Sequence, residues 1–209
     1  MSLFGDHEVR DAPLHELQKS TMQGYLAALT ILLLLGMVLT RVILMRRTGT
    51  RAMHFGGIDK ADFLIPPIAL FYFYTVFAAA FNLPIVSTQR FFHSEVVSWV
   101  GVFLCFGGLT LLLLSVVSFG RSFRVGIDID HPDKLVTTGV FALSRNPIYV
   151  AFGFVLVGQF LVFPNWIMLV FLAAGFWLFH RQVLREEEFL RTHYGQEYTE
   201  YCNRVRRYL

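Results

Sequence analysis

Charge is what this sequence has least of. Only 16% of its 209 residues are Asp, Glu, Lys or Arg, while 55% are hydrophobic; a soluble domain carries about 25% charged residues. That balance excludes an ordinary water-soluble globule. Cysteine is nearly absent too. Cys105 lies inside an apolar run and Cys202 in a charged tail, which leaves no disulfide framework, and no Cys or His pair has metal-ligand spacing. No ionisable residue stands well inside the apolar runs, whereas a proton pump, ion channel or charge-coupled transporter needs one. A glycine-rich strand-to-helix turn of the nucleotide-binding kind is missing, as are internal repeats and low-complexity tracts. The first twenty residues, MSLFGDHEVRDAPLHELQKS, are polar and mixed in charge. A cleavable signal would open on a basic stretch and a short apolar core, so the first apolar run is expected to be a retained anchor.

What fills the chain instead is apolar sequence, including 22 Phe. Met22 to Met45, Asp62 to Leu83 and Glu95 to Phe119 each exceed the roughly 20 residues that cross a hydrocarbon core of about 30 Å. Pro147 to Phe163 and Asn165 to Arg181 are shorter and meet at Phe163-Pro164-Asn165, which predicts a helical hairpin that spans the bilayer or dips into it. The expected fold is an all-α integral membrane protein: five transmembrane helices with a C-terminal helical hairpin and an amphipathic cytoplasmic tail. It is expected to be one domain over residues 1–209, with a three-helix membrane part (1–125) and a hairpin-and-tail part (126–209).

Basic residues set the orientation. Of the 18 Lys and Arg, all but Arg10, Lys19 and Arg90 follow the first apolar run, follow the third, or lie in the tail. An odd number of spans, with the N-terminus outside and the C-terminus cytoplasmic, satisfies this bias. It puts the 120–146 loop and the 182–209 tail in the cytoplasm, where a soluble cofactor would be met.

Two stretches carry the polar chemistry. In Ser144-Arg145-Asn146-Pro147-Ile148-Tyr149, Asn146 and Pro147 suit a helix start, with Asn as cap and Pro in the first turn; Asn146 is also a candidate ligand contact. Arg145 either snorkels to lipid phosphates or binds an anion beside the free amides of that helix end. In the tail, Glu186, Glu187 and Glu188 are consecutive. Helical geometry turns each about 100° from the next, so at most two can serve one site. They form either a solvated face neutralised by Arg181, Arg185 and Arg191 or a binding feature. The latter gains weight because acidic residues at a helix C-terminal end oppose its dipole and sit badly beside an anionic leaflet. Leu190, Tyr194, Tyr198 and Tyr201 continue at helical spacing, a packing stripe interrupted near Gly195. Gln159, the main polar side chain of the hairpin, is expected to make a helix–helix hydrogen bond. Gly101, Gly107 and Gly108 suit close helix packing within or between chains.

These residues resemble a known signature. Lys134-Leu135-Val136-Thr137-x-Gly139-x-Phe141 and Ser144-Arg145-Asn146-Pro147-x-Tyr149, followed by Glu186-Glu187-x-x-Leu190, Tyr194-Gly195-x-Glu197-Tyr198-x-x-Tyr201 and Val205-Arg206-Arg207, resemble the isoprenylcysteine carboxyl methyltransferase family and its phospholipid methyltransferase relatives. The likeness covers about residues 126–209, and the five-span size is similar to prokaryotic members, which points to a bacterial inner membrane rather than the endoplasmic reticulum. Three positions depart from the family pattern: Asp133 and Asn146 stand where histidines are usual, and Phe141 where tyrosine is usual. Gln182 occupies the place four residues before the glutamate pair where prenylcysteine enzymes tend to carry an Arg.

The resemblance implies an integral-membrane methyltransferase that uses S-adenosyl-L-methionine. It implies cofactor contacts at Asp133, Lys134, Leu135, Val136, Phe141, Asn146, Pro147, Tyr149 and Glu186, with Arg145 and Glu187 supporting the catalytic region. Arg145 or Arg181 would orient an anionic acceptor, and Glu187 or a water would take a proton from an amine. The expected partners are a lipophilic acceptor (a prenylcysteine-type carboxylate, a phospholipid amine or a hydrophobic small molecule) and membrane lipids, with no nucleic acid and no metal. Two other readings stay open: an NADPH-dependent membrane reductase of the sterol-reductase type, and a non-catalytic membrane scaffold.

Overall fold

The computed structural model describes residues 14–47, 65–83, 90–119 and 135–209. Among these residues the architecture is helical, with one isolated antiparallel bridge between Arg90 and Asn165. The elements are α1 (Leu14–Arg47), α2 (Ile65–Ala80), α3 (Glu95–Phe119), a 3-10 turn (Gly139–Ala142), α4 (Pro147–Val162), α5 (Trp166–Tyr194) and α6 (Gln196–Arg204). Among the described residues, three stretches are long and apolar enough to cross a bilayer: Met22–Thr40 in α1, Glu95–Ser118 in α3, and α5. The apolar α2 and α4 have 16 residues each, roughly 24 Å of helix. Large apolar side chains such as Leu39, Leu70, Phe103, Val117 and Trp177 are exposed, which suits contact with lipid rather than water. The chain is an integral membrane protein.

The core lies where α1, α2, α3 and the hairpin α4–α5 meet, around Ala27, Ile31, Tyr72, Val76, Val102, Val155, Phe163 and Met168. The side-chain amide of Gln159 donates to the Ala27 carbonyl (2.7 Å) and to Thr30 Oγ1 (3.0 Å), the helix–helix bond expected of it. The glycines of α3 pack within the chain. A methyl group on Gly101 would lie 2.6 Å from the Gly158 carbonyl, and one on Gly108 would lie 2.7 Å from the Ala151 carbonyl. These two turns of α3 therefore ride directly on the α4 backbone, while Gly107 faces open space.

The hairpin turns at Phe163-Pro164-Asn165. Asn165 caps α5 by accepting from the Met168 amide at 2.9 Å, and the Pro164 carbonyl accepts from the Phe91 amide at 2.7 Å. α5 does not end at Arg181, where the apolar run ends. It continues without a break to Tyr194, 29 residues in all, about 43 Å. The helix stops at Gly195, whose φ of +52° lies in the left-handed region that suits glycine. The glutamates thus ride on the same rigid rod as the membrane segment. Cys105 is buried in α3 and Cys202 half-buried in α6; both are free thiols.

Candidate functional site

The 3-10 turn and α4 bring the first motif to the upper half of α5. Gly139 has φ +64°, and a methyl group there would fall on the Ser118 hydroxyl at the end of α3, so both backbone angle and space call for glycine. Two residues on, Phe141 is buried, and its carbonyl accepts from the Tyr201 hydroxyl at 2.6 Å. This bond ties the turn to α6. Leu135 and Val136 are half-buried in the extended stretch before the turn. Asp133 and Lys134 lie outside the described residues.

Asn146 occupies the cap position of α4 and Pro147 its first turn, yet the Asn146 side chain makes no capping bond. The expected cap holds for the backbone only, whose carbonyl accepts from the Val150 amide. The side-chain amide is drawn elsewhere: Nδ2 donates to Glu187 Oε1 (3.1 Å) and to the Arg207 carbonyl (3.2 Å). A cap would use Oδ1 to accept from an amide of the first turn; here the charge-assisted bond that Nδ2 donates to the buried carboxylate orients the side chain across the site instead.

Glu187 is the hub. It is 3% exposed and sits between two guanidinium groups. Arg145 Nη2 is 3.3 Å from Oε1, while Arg207 reaches Oε2 through Nη2 (2.9 Å) and Nε (3.1 Å). Arg145 Nε is itself buried without a hydrogen-bond partner among the described residues. The tail completes the cluster. The Arg206 carbonyl accepts from the Arg145 amide at 2.9 Å, and the Arg207 carbonyl from the Ser144 hydroxyl at 3.3 Å. Tyr208 places its hydroxyl 2.9 Å from His180 Nδ1. Residues 205–208 therefore cross from the 144–146 stretch to α5 as a strap.

Glu186 points to a neighbouring face. Its Oε1 accepts from the Tyr149 hydroxyl at 2.6 Å and from Gln182 Nε2 at 3.1 Å; among the described residues nothing donates to Oε2. Tyr149 lies beside Phe179, ring centroids 5.9 Å apart. Glu188 turns outward and pairs with Arg191 at 3.5 Å, 73% exposed, so two of the three glutamates face inward, the maximum that the helix geometry allowed.

The electrostatics follow from this packing. Hydrogen bonding to Glu187 is the main cause that raises the Arg207 pKa further above its usual value. Tyr198 and Tyr201 are buried, and burial holds both hydroxyls above the usual phenol range. The nearby Glu187 charge adds to the effect at Tyr198. Tyr201 is pushed up to about 12, with Arg145 opposing. Tyr208 is raised by burial against the pull of Arg207.

Of the residues singled out in the sequence, Arg145, Asn146, Tyr149, Glu186 and Glu187 converge, and Phe141 and Pro147 are buried next to them. Arg181 does not join them. Its guanidinium lies 5.7 Å from the ring centre of the exposed Trp177, because six helical residues separate it from Glu187 by about 240° around the α5 axis. In the sequence Ser144, Gln182 and Arg207 stand only as motif positions with no contact assigned to them, and the His180–Tyr208 pair is not singled out. The only signals available were the basic end of the tail and the four-residue spacing of Gln182 and Glu186.

The phospholipid methyltransferase family matches this chain over residues 96–197, from the start of α3 into α6. The chain is 38% identical over 112 residues to a probable protein-S-isoprenylcysteine O-methyltransferase of Oryza sativa subsp. indica, covering 52% of this chain and 59% of that protein. It is 32% identical over 117 residues to protein-S-isoprenylcysteine O-methyltransferase B of Arabidopsis thaliana, covering 51% and 57%. With the Rattus norvegicus protein-S-isoprenylcysteine O-methyltransferase it shares 30% identity over 115 residues, covering 52% and 40%. The matches thus take in little more than half the length of the plant relatives. Over residues 96–197, just under half of its length, the chain is similar to the phospholipid methyltransferase family, and over a little more than half to protein-S-isoprenylcysteine O-methyltransferases.

Proposed function

We propose that this protein transfers a methyl group from S-adenosyl-L-methionine to a lipophilic acceptor at the cytoplasmic face of its membrane. The observation that carries the reading is the meeting of Tyr149 with Glu186, and of Asn146 with Glu187, across 37 and 41 residues of sequence. These are the residues of the two motifs, and they face one another.

The side chains present fit such a cofactor. A half-buried carboxylate with one oxygen held by Tyr149 and Gln182, and the other taking no bond among the described residues, suits ribose hydroxyls. Tyr149 and Phe179 offer aromatic faces beside it. Glu186, Tyr149, Leu135, Val136 and Phe141 are assigned to hold the cofactor, with Pro147 closing the first turn of α4. Asp133 and Lys134 are assigned with them from the motif alone. S-adenosyl-L-methionine supplies an electrophilic methyl group on a sulfonium that already carries the positive charge.

The chain's own task is alignment and exclusion of water, since displacement at carbon needs the nucleophile in line in a dry site. Glu187 serves this task by position. Asn146 and Arg145 take up its Oε1 and Arg207 its Oε2, so it is poorly placed to accept a proton; we assign it to hold α4, α5 and the strap in register. A carboxylate or thiolate acceptor needs no base. Arg145 lies close enough to the cluster to orient an anionic acceptor. Arg181, on another face beside Trp177, is assigned to the lipid interface. The relatives' names point to a prenylcysteine carboxylate; a phospholipid amine or another hydrophobic acid or thiol would meet the same site.

The accompanying topology is five crossings in one unit, N-terminus outside, C-terminus cytoplasmic. It follows the distribution of Lys and Arg and puts the glutamates two turns beyond the apolar part of α5. Calorimetry with S-adenosylhomocysteine and with NADPH on the detergent-purified protein tests the reading. Heat with the first alone is expected. Heat with NADPH alone would support the reductase, and heat with neither the scaffold.

A further inference from the structure

Arg207 stands twenty residues beyond Glu187 and belongs to no acidic or aromatic motif, yet it touches both sides of the candidate site. Its side chain makes two hydrogen bonds to one oxygen of Glu187. Its carbonyl accepts from Ser144 and Asn146. Arg145 offers Glu187 a single ion-pair contact of 3.3 Å, so Arg207 is the closer counter-charge of a carboxylate that is 3% exposed. A buried carboxylate is tolerated only when paired and hydrogen-bonded, so Glu187 keeps its inward pose while Arg207 is in place.

The consequence reaches the neighbouring residues. Glu187 holds Asn146, the residue on which α4 starts, and Tyr149 lies three residues, close to one turn, further along α4. Glu186 is the next residue to Glu187 on α5, and it takes the Tyr149 hydroxyl. A shift of α4 against α5 at Asn146–Glu187 would therefore open Tyr149–Glu186.

Building on the methyltransferase reading, we infer that Arg207 is a positioning residue. Through Glu187 it fixes the register of α4 on α5 and so preorganises the Tyr149–Glu186 pair for the adenosyl cofactor. It acts at a distance from the reacting atoms.

The test compares the full chain in detergent with Arg207→Met, Arg207→Lys and, as control, Arg206→Met, whose side chain is exposed. Two readouts are taken: the affinity for S-adenosylhomocysteine, and hydrogen exchange of the backbone amides from Arg145 to Val150. Arg145 donates to the Arg206 carbonyl and Val150 to the Asn146 carbonyl, so both amides report on the clasp. Loss of a charge-assisted hydrogen bond is expected to weaken affinity about tenfold in Arg207→Met and to speed exchange over 145–150. Arg207→Lys, which keeps the charge, is expected to recover most of both. Arg206→Met should change neither and keep the wild-type thermal midpoint. Arg207→Met, which strips a buried carboxylate of its closer counter-charge, is expected to melt at a lower temperature. Both readouts are therefore taken well below its midpoint, where it is folded.

Unchanged exchange in Arg207→Met overturns the inference. So does faster exchange with wild-type affinity, since Arg207 would then be merely structural. A wild-type protein that binds no S-adenosylhomocysteine overturns the methyltransferase reading instead, and the exchange data would still decide whether Arg207 sets the register.

Discussion

The Tyr149 hydroxyl donates a 2.6 Å hydrogen bond to Glu186, joining the first turn of one hairpin helix to a point two-thirds of the way along the other. Everything polar nearby supports that contact. Gln182 steadies the same carboxylate oxygen, and the Glu187 cluster holds the two helices in register one residue away. Tyr149→Phe removes the hydroxyl and little else. Affinity for S-adenosylhomocysteine is expected to fall about tenfold, the worth of one hydrogen bond to a charged group. Calorimetry checks this, with the melting temperature as a control that should move by no more than a few degrees.

Glu187 is expected to dominate stability as much as activity. Glu187→Ala would leave Arg145, whose side chain is 11% exposed, and Arg207, 37% exposed, without their shared anion. Breaking a buried ion pair on one side costs about 3–5 kcal/mol; the low end applies because Arg207 can turn to water. Unfolding in mixed micelles should show a loss of about 3 kcal/mol. A loss well below 1 kcal/mol would mean that the cluster is not a clamp.

Gly139 carries a different kind of constraint. Its left-handed φ and the Ser118 hydroxyl behind it leave no room for a methyl group. Gly139→Ala should cost about 1–3 kcal/mol from backbone strain alone, with overlap at Ser118 adding to it. Gly139→Ala combined with Ser118→Gly should recover the overlap but not the strain, and thermal unfolding of the two variants separates the terms.

Tyr201 predicts an alkaline weakness. An unfolded phenol loses its proton near pH 10, whereas burial keeps that of Tyr201 to about 12. The native state thus holds the proton longer than the unfolded chain. The stabilisation is complete below pH 10 and is lost as pH rises from about 10 to 12. Tyr201→Phe should be less stable at neutral pH, because the bond to the Phe141 carbonyl is gone, but should lose less on going from pH 9 to pH 12. Stability curves at the two pH values measure the difference.

Much of the frame could be read from residue patterns. The start of α3 at Glu95, the hairpin turn at Phe163-Pro164-Asn165 and the break at Gly195 follow from local rules of apolar run length and of cap and turn residues. A turn of about 100° per residue limits the inward-facing glutamates to two, and the resemblance singles out Glu186 and Glu187. Gln159 announced its interhelical bond because an amide inside an apolar helix has few other uses. What stayed hidden depends on distant partners. The Asn146 side chain makes no cap because its amide nitrogen donates to Glu187, 41 positions away, which turns the side chain across the site. α5 runs past Arg181 because its Glu and Arg residues favour helix as well as its apolar ones do, so a hydropathy boundary is not a helix boundary. Arg207 looked like one more basic residue, since nothing local reveals that its side chain turns back to a buried carboxylate.

Methyl transfer itself is tested with a labelled donor. Purified protein in lipid vesicles is given S-adenosyl-L-methionine with a radiolabelled methyl group and a total lipid extract containing prenylcysteine and phospholipid acceptors. Glu186→Ala protein serves as the blank. Label is expected in a lipophilic product with wild-type protein and none above background with the variant. Label in neither, or equal label in both, would contradict methyl transfer at this site.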